Sequence, residues 1–90
     1  MFHIKFLSIL TFAFVSARRD QKFRTALGRK INALRKEQKV SQAQLAFECG
    51  ITRELLSKIE SGKINTTLKT LLGLTEALNI HFKDLFDFEY

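Results

Sequence analysis

Apolar residues recur at helical spacing in the chain from Phe23 onward. In the first such segment they fall at positions i, i+4, i+8 and i+11, and basic residues occupy the other faces. That period is typical of a helix that packs one side against a core and exposes the other. The apolar positions of this predicted helix are Phe23, Leu27, Ile31 and Leu34.

Capping signals then predict two very short helices in succession. Ser41, with Gln44 at capping-box spacing three residues later, predicts the start of the second helix. Gly50 ends that helix, because glycine tolerates the left-handed backbone of a sharp helix exit. Thr52 caps the third predicted helix, which ends at Gly62 and the serine before it. Helices this short are marginal alone, so both need packed neighbours.

The remainder of the chain predicts two further helices. A fourth is expected at about residues 68–78, with Thr67 as its N-cap and Asn79 as its left-handed end. Its predicted apolar stripe is Leu68, Leu71, Leu72, Thr75 and Leu78. A last helix carries Phe82, Leu85 and Phe86. With five short helices and no convincing strand after residue 17, the predicted fold class is all-α.

Residues 1–17 follow a different pattern, since they contain no acid and are almost wholly apolar from residue 6. The run is shorter than the roughly 20 residues that span a bilayer, and it imitates a secretory signal. Three interpretations stay open: upstream sequence included by a misplaced start, a strand or helix that docks on the domain or a partner chain, and a membrane anchor. We rank the membrane last, and we divide the chain into an extension at 1–22 and a domain at 23–90.

Charge and composition narrow the class of protein. The formal net charge is +6, and residues 18–63 hold 12 Lys and Arg against 5 Asp and Glu. This basic half favours a polyanion-facing surface, although basic residues also keep a small helical protein soluble. A single cysteine, Cys49, excludes an internal disulfide and favours a reducing compartment, so we expect a cytoplasmic protein.

The sequence gives little support for a catalytic site or a metal site. His3 and His81 lack a nearby second ligand, so we expect no metal site and no cofactor. Ser, His and Asp occur at no spacing that indicates an activated nucleophile, and we therefore expect no enzyme.

Residues 42–61 contain a predicted helix-turn-helix motif. Such a motif needs a small residue where its helices approach, a glycine near the turn and apolar residues that lock the crossing. Ala46 is the small residue and Gly50 follows four residues later. The apolar positions at the crossing are Leu45, Cys49, Ile51, Leu56 and Ile59. Every required position is filled.

With these residues, the chain resembles the lambda-repressor-like family, the Cro/repressor (XRE) type of helix-turn-helix protein. The matching stretches are "LGRKINALRKEQKVSQAQLAFECGITRELLSKIESGK" and "TLKTLLGLTEALNIHFKDLF", roughly residues 27–86. The extension at 1–22 has no counterpart in the family pattern, and the loop "KINTTLK" lacks a proline that many relatives carry. The resemblance implies a compact five-helix lambda-repressor-like DNA-binding domain with an atypical apolar N-terminal extension.

The resemblance also implies roles at the third predicted helix, which would read the DNA bases and is called the reading helix. Gln42 would bind a phosphate and brace that helix. Thr52, Arg53 and Glu54 would open the third helix in the major groove of double-stranded DNA. Arg53 would fork to guanine O6 and N7, and Glu54 would accept from a cytosine amino group. A competing interpretation pairs Glu54 with Lys58 on the helix surface.

The resemblance also implies roles for residues beyond the first turn of the reading helix. Ser57 and Lys58 would reach bases or the neighbouring backbone, and Lys63 and Asn65 would hold phosphate, which positions the protein without specifying sequence. A family ion pair matches Arg35 and Glu60, and we expect this pair to fix the angle of the reading helix.

These features predict a sequence-specific transcriptional regulator that represses as a dimer on a pseudo-palindromic operator and is nucleoid-associated when bound. The acidic, Phe-rich end at 81–90 is the candidate dimer contact; alternatively Phe82 and Phe86 close the core and only Phe88 and Tyr90 are spare. Two other functions stay open, namely an antitoxin that binds a toxin and represses its own operon, and a restriction–modification controller.

Overall fold

The computed structural model describes residues 2–90, with side chains from residue 16 onward. Within residues 2–90 the chain forms five helices and no strand, which confirms the all-α fold class. The helices are α1 (Phe2–Glu37), α2 (Gln42–Cys49), α3 (Arg53–Glu60), α4 (Leu68–Leu78) and α5 (Phe82–Leu85).

α1 is much longer than the sequence pattern predicted. It runs unbroken for 36 residues, so no change of backbone marks the boundary expected after residue 22. Residues 2–27 contain neither proline nor glycine, and nothing in the sequence therefore interrupts the helix before Gly28. A helix of this length spans about 54 Å, close to the longest dimension of the molecule, 56 Å. In the described part of the chain, no helix has both the length and the apolar character needed to cross a membrane.

The predicted caps form at α2, α3 and α4. The side chains of Ser41, Thr52 and Thr67 each accept a hydrogen bond from a backbone N–H of the first turn, at 3.0 to 3.1 Å. Gly50 and Asn79 take left-handed conformations, with φ of 72° and 55°, and so end α2 and α4. These five positions fix the helix boundaries as the sequence predicted.

One capping detail differs from the expectation. The amide of Gln44 donates to Oε1 of Glu48 at 3.4 Å, one turn further along α2. Only the Ser41 half of the capping box therefore forms.

The core lies where all five helices of the described chain meet. Its buried residues are Leu27, Ile31, Leu45, Ala46, Leu56, Ile59, Leu71, Leu74, Leu78 and Leu85. Each buried leucine or isoleucine stabilises the fold by about 1.5–3 kcal/mol relative to full exposure. α1 approaches α3 at Gly28, where a Cβ atom would lie 2.5 Å from the carbonyl oxygen of Ile59. The two helices therefore touch backbone to backbone.

The predicted stripe of α4 is partly wrong. Leu68 and Leu72 are 65% and 46% exposed, whereas Leu74, which was not assigned to the stripe, is fully buried. The buried positions are Leu71, Leu74, Thr75 and Leu78, at i, i+3, i+4 and i+7. Because α4 carries leucine on several faces, leucine content alone did not identify its buried side.

The C-terminal aromatic residues fold back onto α1. The ring of Phe23 lies 5.9 Å from that of Phe86, 5.3 Å from that of Phe88 and 4.9 Å from that of Tyr90, between centroids. Phe82 also packs partly buried against the core. Phe88 is therefore not spare, and Tyr90, 59% exposed, is the outermost member of this cluster.

Candidate nucleic-acid interface

α2 and α3 form the predicted helix-turn-helix around Gly50. The N–H of Ile51 returns to the carbonyl oxygen of Ala46 at 3.0 Å, which tightens the turn. Ala46 is 2% exposed and Leu56 is fully buried, so the two helices cross closely. Cys49 and Ile51 are half-buried at the edge of this crossing. The crossing fixes which side of α3 faces outward.

The outward side of α3 carries the residues predicted to read DNA. Thr52, Arg53, Glu54, Ser57 and Lys58 are all exposed. Within the described residues no ion pair joins Glu54 to Lys58, and the guanidinium of Arg53 has no hydrogen-bond partner. The oxygen of Thr52 caps α3, which leaves its O–H available as a donor. The helix therefore presents two cations and one carboxylate to solvent.

Glu60 joins the first three helices beneath this surface. Its Oε2 accepts from Nε of Arg35 at 2.8 Å, and its Oε1 accepts from Nη2 of Arg35 at 3.0 Å. Oε1 also accepts from Nδ2 of Asn32 at 2.7 Å and from Nε2 of Gln42 at 3.0 Å. Glu60 and Arg35 are each only 8% exposed. The predicted ion pair is thus in contact, and two neutral amides complete its surroundings.

The balance of burial and hydrogen bonding sets the charge of Glu60. Burial alone would raise the pKa of this carboxyl, because it disfavours the charged form. The hydrogen bonds from Arg35, Asn32 and Gln42, with the positive charge of the guanidinium, outweigh that penalty. The pKa of Glu60 therefore lies below its usual range, and the side chain is a carboxylate at neutral pH.

Gln42 occupies the first position of α2, where its amide is oriented by Glu60. One N–H of Nε2 is used in that bond, and an amide nitrogen has a second N–H to donate. Gln42 is half-buried, so this second donor is close to the surface.

The loop after α3 is held against α1. Nε2 of Gln21 donates to the carbonyl oxygen of Gly62 at 3.4 Å. Gly62 has φ of 73°, and a Cβ atom there would lie 2.8 Å from Cα of Thr25. Lys63 and Asn65 follow on this loop with exposed side chains. The anchoring fixes where the loop leaves α3.

Sequence reasoning missed two positioning residues. Asn32, which donates to Glu60, lies three residues before Arg35 and hence on the same face of α1. That spacing was a usable signal once Arg35 was identified. Gln21 lies in the segment assigned to the extension, and the pattern gave no signal for its bond to Gly62.

Comparison with known proteins decides the family. The sequence model of the family described as helix-turn-helix matches residues 31–85, which include α2, α3 and α4. The chain belongs to this helix-turn-helix family. The match confirms the family resemblance seen in the sequence.

The proteins to which this helix-turn-helix chain is similar include several whose names describe regulators. It is 38% identical over 66 residues to the control protein C.BamHI of Bacillus amyloliquefaciens, covering 72% of this chain and 82% of that protein. It is 41% identical over 54 residues to the immunity repressor protein of Bacillus phage phi105, covering 60% of this chain and 38% of the repressor. Among solved structures, the restriction-modification controller protein C.AhdI from Aeromonas hydrophila superposes with a TM-score of 0.68 at 34% identity, covering 69% of this chain and 94% of that one.

Proposed function

We propose that this chain is a sequence-specific DNA-binding regulator of transcription that represses as a dimer on a two-fold symmetric operator. The observation that carries the proposal is the exposed face of α3, whose Arg53, Glu54 and Lys58 have no ion-pair partner within the described residues. The buried Glu60 network beneath it joins α3 to α1 and α2 and so fixes how that face is oriented. Such a protein acts where DNA is, in the cytoplasm, and needs neither a catalytic group nor a cofactor.

Reading begins at the N-terminal turn of α3, which enters the major groove. Arg53 donates two hydrogen bonds to guanine O6 and N7, and Glu54 accepts from a cytosine amino group. A bidentate contact such as that of Arg53 discriminates against a wrong base by about 1–3 kcal/mol. Thr52, Ser57 and Lys58 extend the contacts along the same face.

Phosphate contacts hold the protein in register. The second N–H of Gln42 donates to a phosphate oxygen while the first stays on Glu60, so one side chain links the DNA backbone to the buried network. Lys63 and Asn65 bind phosphate from the loop after α3. The net charge of +6 attracts the polyanion at longer range.

A restriction–modification controller is the second candidate, because the solved structure of C.AhdI, to which the chain is similar, is that of a restriction-modification controller protein. Adjacent genes for a methyltransferase and a nuclease would support this assignment, and their absence would contradict it. The antitoxin assignment and its toxin partner stay predictions, to be tested by copurification with the product of an adjacent reading frame.

Selection from random duplex DNA by the purified full chain tests the main proposal. We expect enrichment of a two-fold symmetric site whose half-sites lie about one helical turn apart. An Arg53→Ala variant run in parallel should relax the preference at one base pair of each half-site. Recovery of sequences without any common pattern, from a chain that still binds DNA, would contradict sequence-specific regulation.

A further inference from the structure

The exposed face of α4 combines apolar and charged residues. Among residues 16–90, whose side chains the structure describes, four large apolar side chains are exposed, and two of them, Leu68 and Leu72, lie on this helix. Lys69 and Glu76 are also exposed. At 3.6 residues per turn all four positions fall within about 100° of the helix circumference. We call this set, Leu68, Lys69, Leu72 and Glu76, the α4 stripe.

The two charges of the α4 stripe do not serve the chain's own structure. Within the described residues neither Lys69 nor Glu76 forms an ion pair or a side-chain hydrogen bond. They are seven residues apart on one helix, a rise of about 10.5 Å, which is too far for them to pair with each other. Leu72 lies almost midway between them along the axis.

This order of charges is self-complementary. When two identical helices lie antiparallel across a two-fold axis at Leu72, Lys69 of each faces Glu76 of the other. An isologous contact has this property, since residue i of one copy meets residue j of its partner and the reverse. The exposed leucines would be covered at the same time, with Leu72 beside the axis.

We infer that the α4 stripe is a contact between two copies of this chain, packed antiparallel through α4. The inference rests on the proposed dimeric regulator and names its interface. It replaces the aromatic C-terminal end as the candidate dimer contact, because Phe86 and Phe88 already pack on Phe23 of the same chain. None of the residues assigned to DNA contact belongs to the α4 stripe.

Charge reversal of the full chain tests the contact, measured by sedimentation equilibrium without DNA. Lys69→Glu leaves the α4 stripe with two acidic residues, and Glu76→Lys leaves it with two basic residues. Because like charges then face each other across the contact, each single variant should dimerise about tenfold more weakly. The double variant restores both opposed pairs and should return close to the original dissociation constant. An equimolar mixture of the two single variants should form a heterodimer tighter than either homodimer.

Lys83→Glu on α5 is the matched control, because it makes the same charge change at an exposed lysine outside the α4 stripe. It should leave the dissociation constant unchanged. Equal effects of Lys69→Glu and Lys83→Glu, failure of the double variant to recover, or a chain that stays monomeric would each overturn the α4 contact. Recovery of a symmetric site in the DNA selection is measured separately, so loss of this contact and loss of the proposed function are distinguishable.

Discussion

At the scale of single residues, the carboxylate of Glu60 carries more interactions than its place at the end of an eight-residue helix would indicate. It accepts four hydrogen bonds from three side chains, which belong to α1 and α2. Breaking a buried ion pair from one side leaves the other charge without compensation, at a cost of about 3–5 kcal/mol.

We therefore expect Glu60→Gln to lower the free energy of unfolding by about 3 kcal/mol near neutral pH. Because the folded pKa of Glu60 is lowered, its contribution is present above the unfolded pKa of about 4.3 and is lost as pH falls through the folded value. Urea denaturation of both chains across this acidic range should show the difference between them shrinking with falling pH. A difference that stays constant as pH falls would contradict an ionised Glu60 in the folded state.

We expect Gly28 and Gly73 to respond in opposite ways to substitution by alanine. At Gly28 a Cβ atom would lie 2.7 Å from the carbonyl carbon of Glu60, and backbone atoms on both helices would have to move. Alanine gains about 1 kcal/mol of helix propensity, but overpacking costs about 1–3 kcal/mol or more, so the clash dominates. Gly28→Ala should lower the thermal midpoint.

Gly73 provides the matched control. It also lies inside a helix, but a Cβ atom there would contact atoms of Cys49 at 3.7 and 3.9 Å, ordinary van der Waals distances. Gly73→Ala should raise the stability of the monomer by about 0.5–1 kcal/mol. Stabilisation by Gly28→Ala in the same assay would show that α1 and α3 do not meet backbone to backbone.

At the scale of elements, α3 and the loop after it separate recognition from attachment. Arg53→Ala should reduce affinity for the selected site by about 1–3 kcal/mol and leave affinity for unrelated DNA almost unchanged. Lys63→Ala should weaken both, and it should reduce the slope of log affinity against log salt by about 0.9. Titrations of both duplexes at several salt concentrations measure these effects. Equal losses on both duplexes for Arg53→Ala would remove it from base reading.

The elements also show what the sequence could predict. Side-chain caps and left-handed residues act within one turn, so Ser41, Thr52, Thr67 and Asn79 fixed three helices from local chemistry alone. The buried side of α4 depends on where its neighbours lie, and a pattern rich in leucine placed Leu68 and Leu72 on the wrong side.

The same distinction applies to the candidate site. Arg35 and Glu60 were identified only through the family resemblance, because they are 25 residues apart and periodicity does not relate them. Asn32 and Gln21 are recognisable only once the packing of α1 on α3 and its loop is known.

At the scale of the whole molecule, α1 connects the N-terminal extension to the domain as one continuous helix. We propose that the domain needs α1 only from about residue 18. Arg18 and Arg19 line an open cleft with Tyr90 at the aromatic end, and Gln21 donates a hydrogen bond to the loop after α3. Removal of residues 1–17 should leave the thermal midpoint within a few degrees and the selected DNA site unchanged. A fragment that is unfolded by circular dichroism would place the extension within the folding unit instead.

The alkylation rate of Cys49, the single thiol of the chain, should report whether two copies pair through the α4 stripe. Cys49 lines an open groove with Leu72 and Gly73, where burial, with the nearby charge of Glu48, raises the pKa of the thiol. Alkylating reagents consume the thiolate, so modification is slow at neutral pH and quickens as pH rises. Since Leu72 belongs to the α4 stripe, pairing of two copies covers one rim of the groove, and the half-life of the thiol should lengthen with protein concentration. Mass spectrometry of timed aliquots then gives a self-association curve for the native sequence, with no label added and no residue changed.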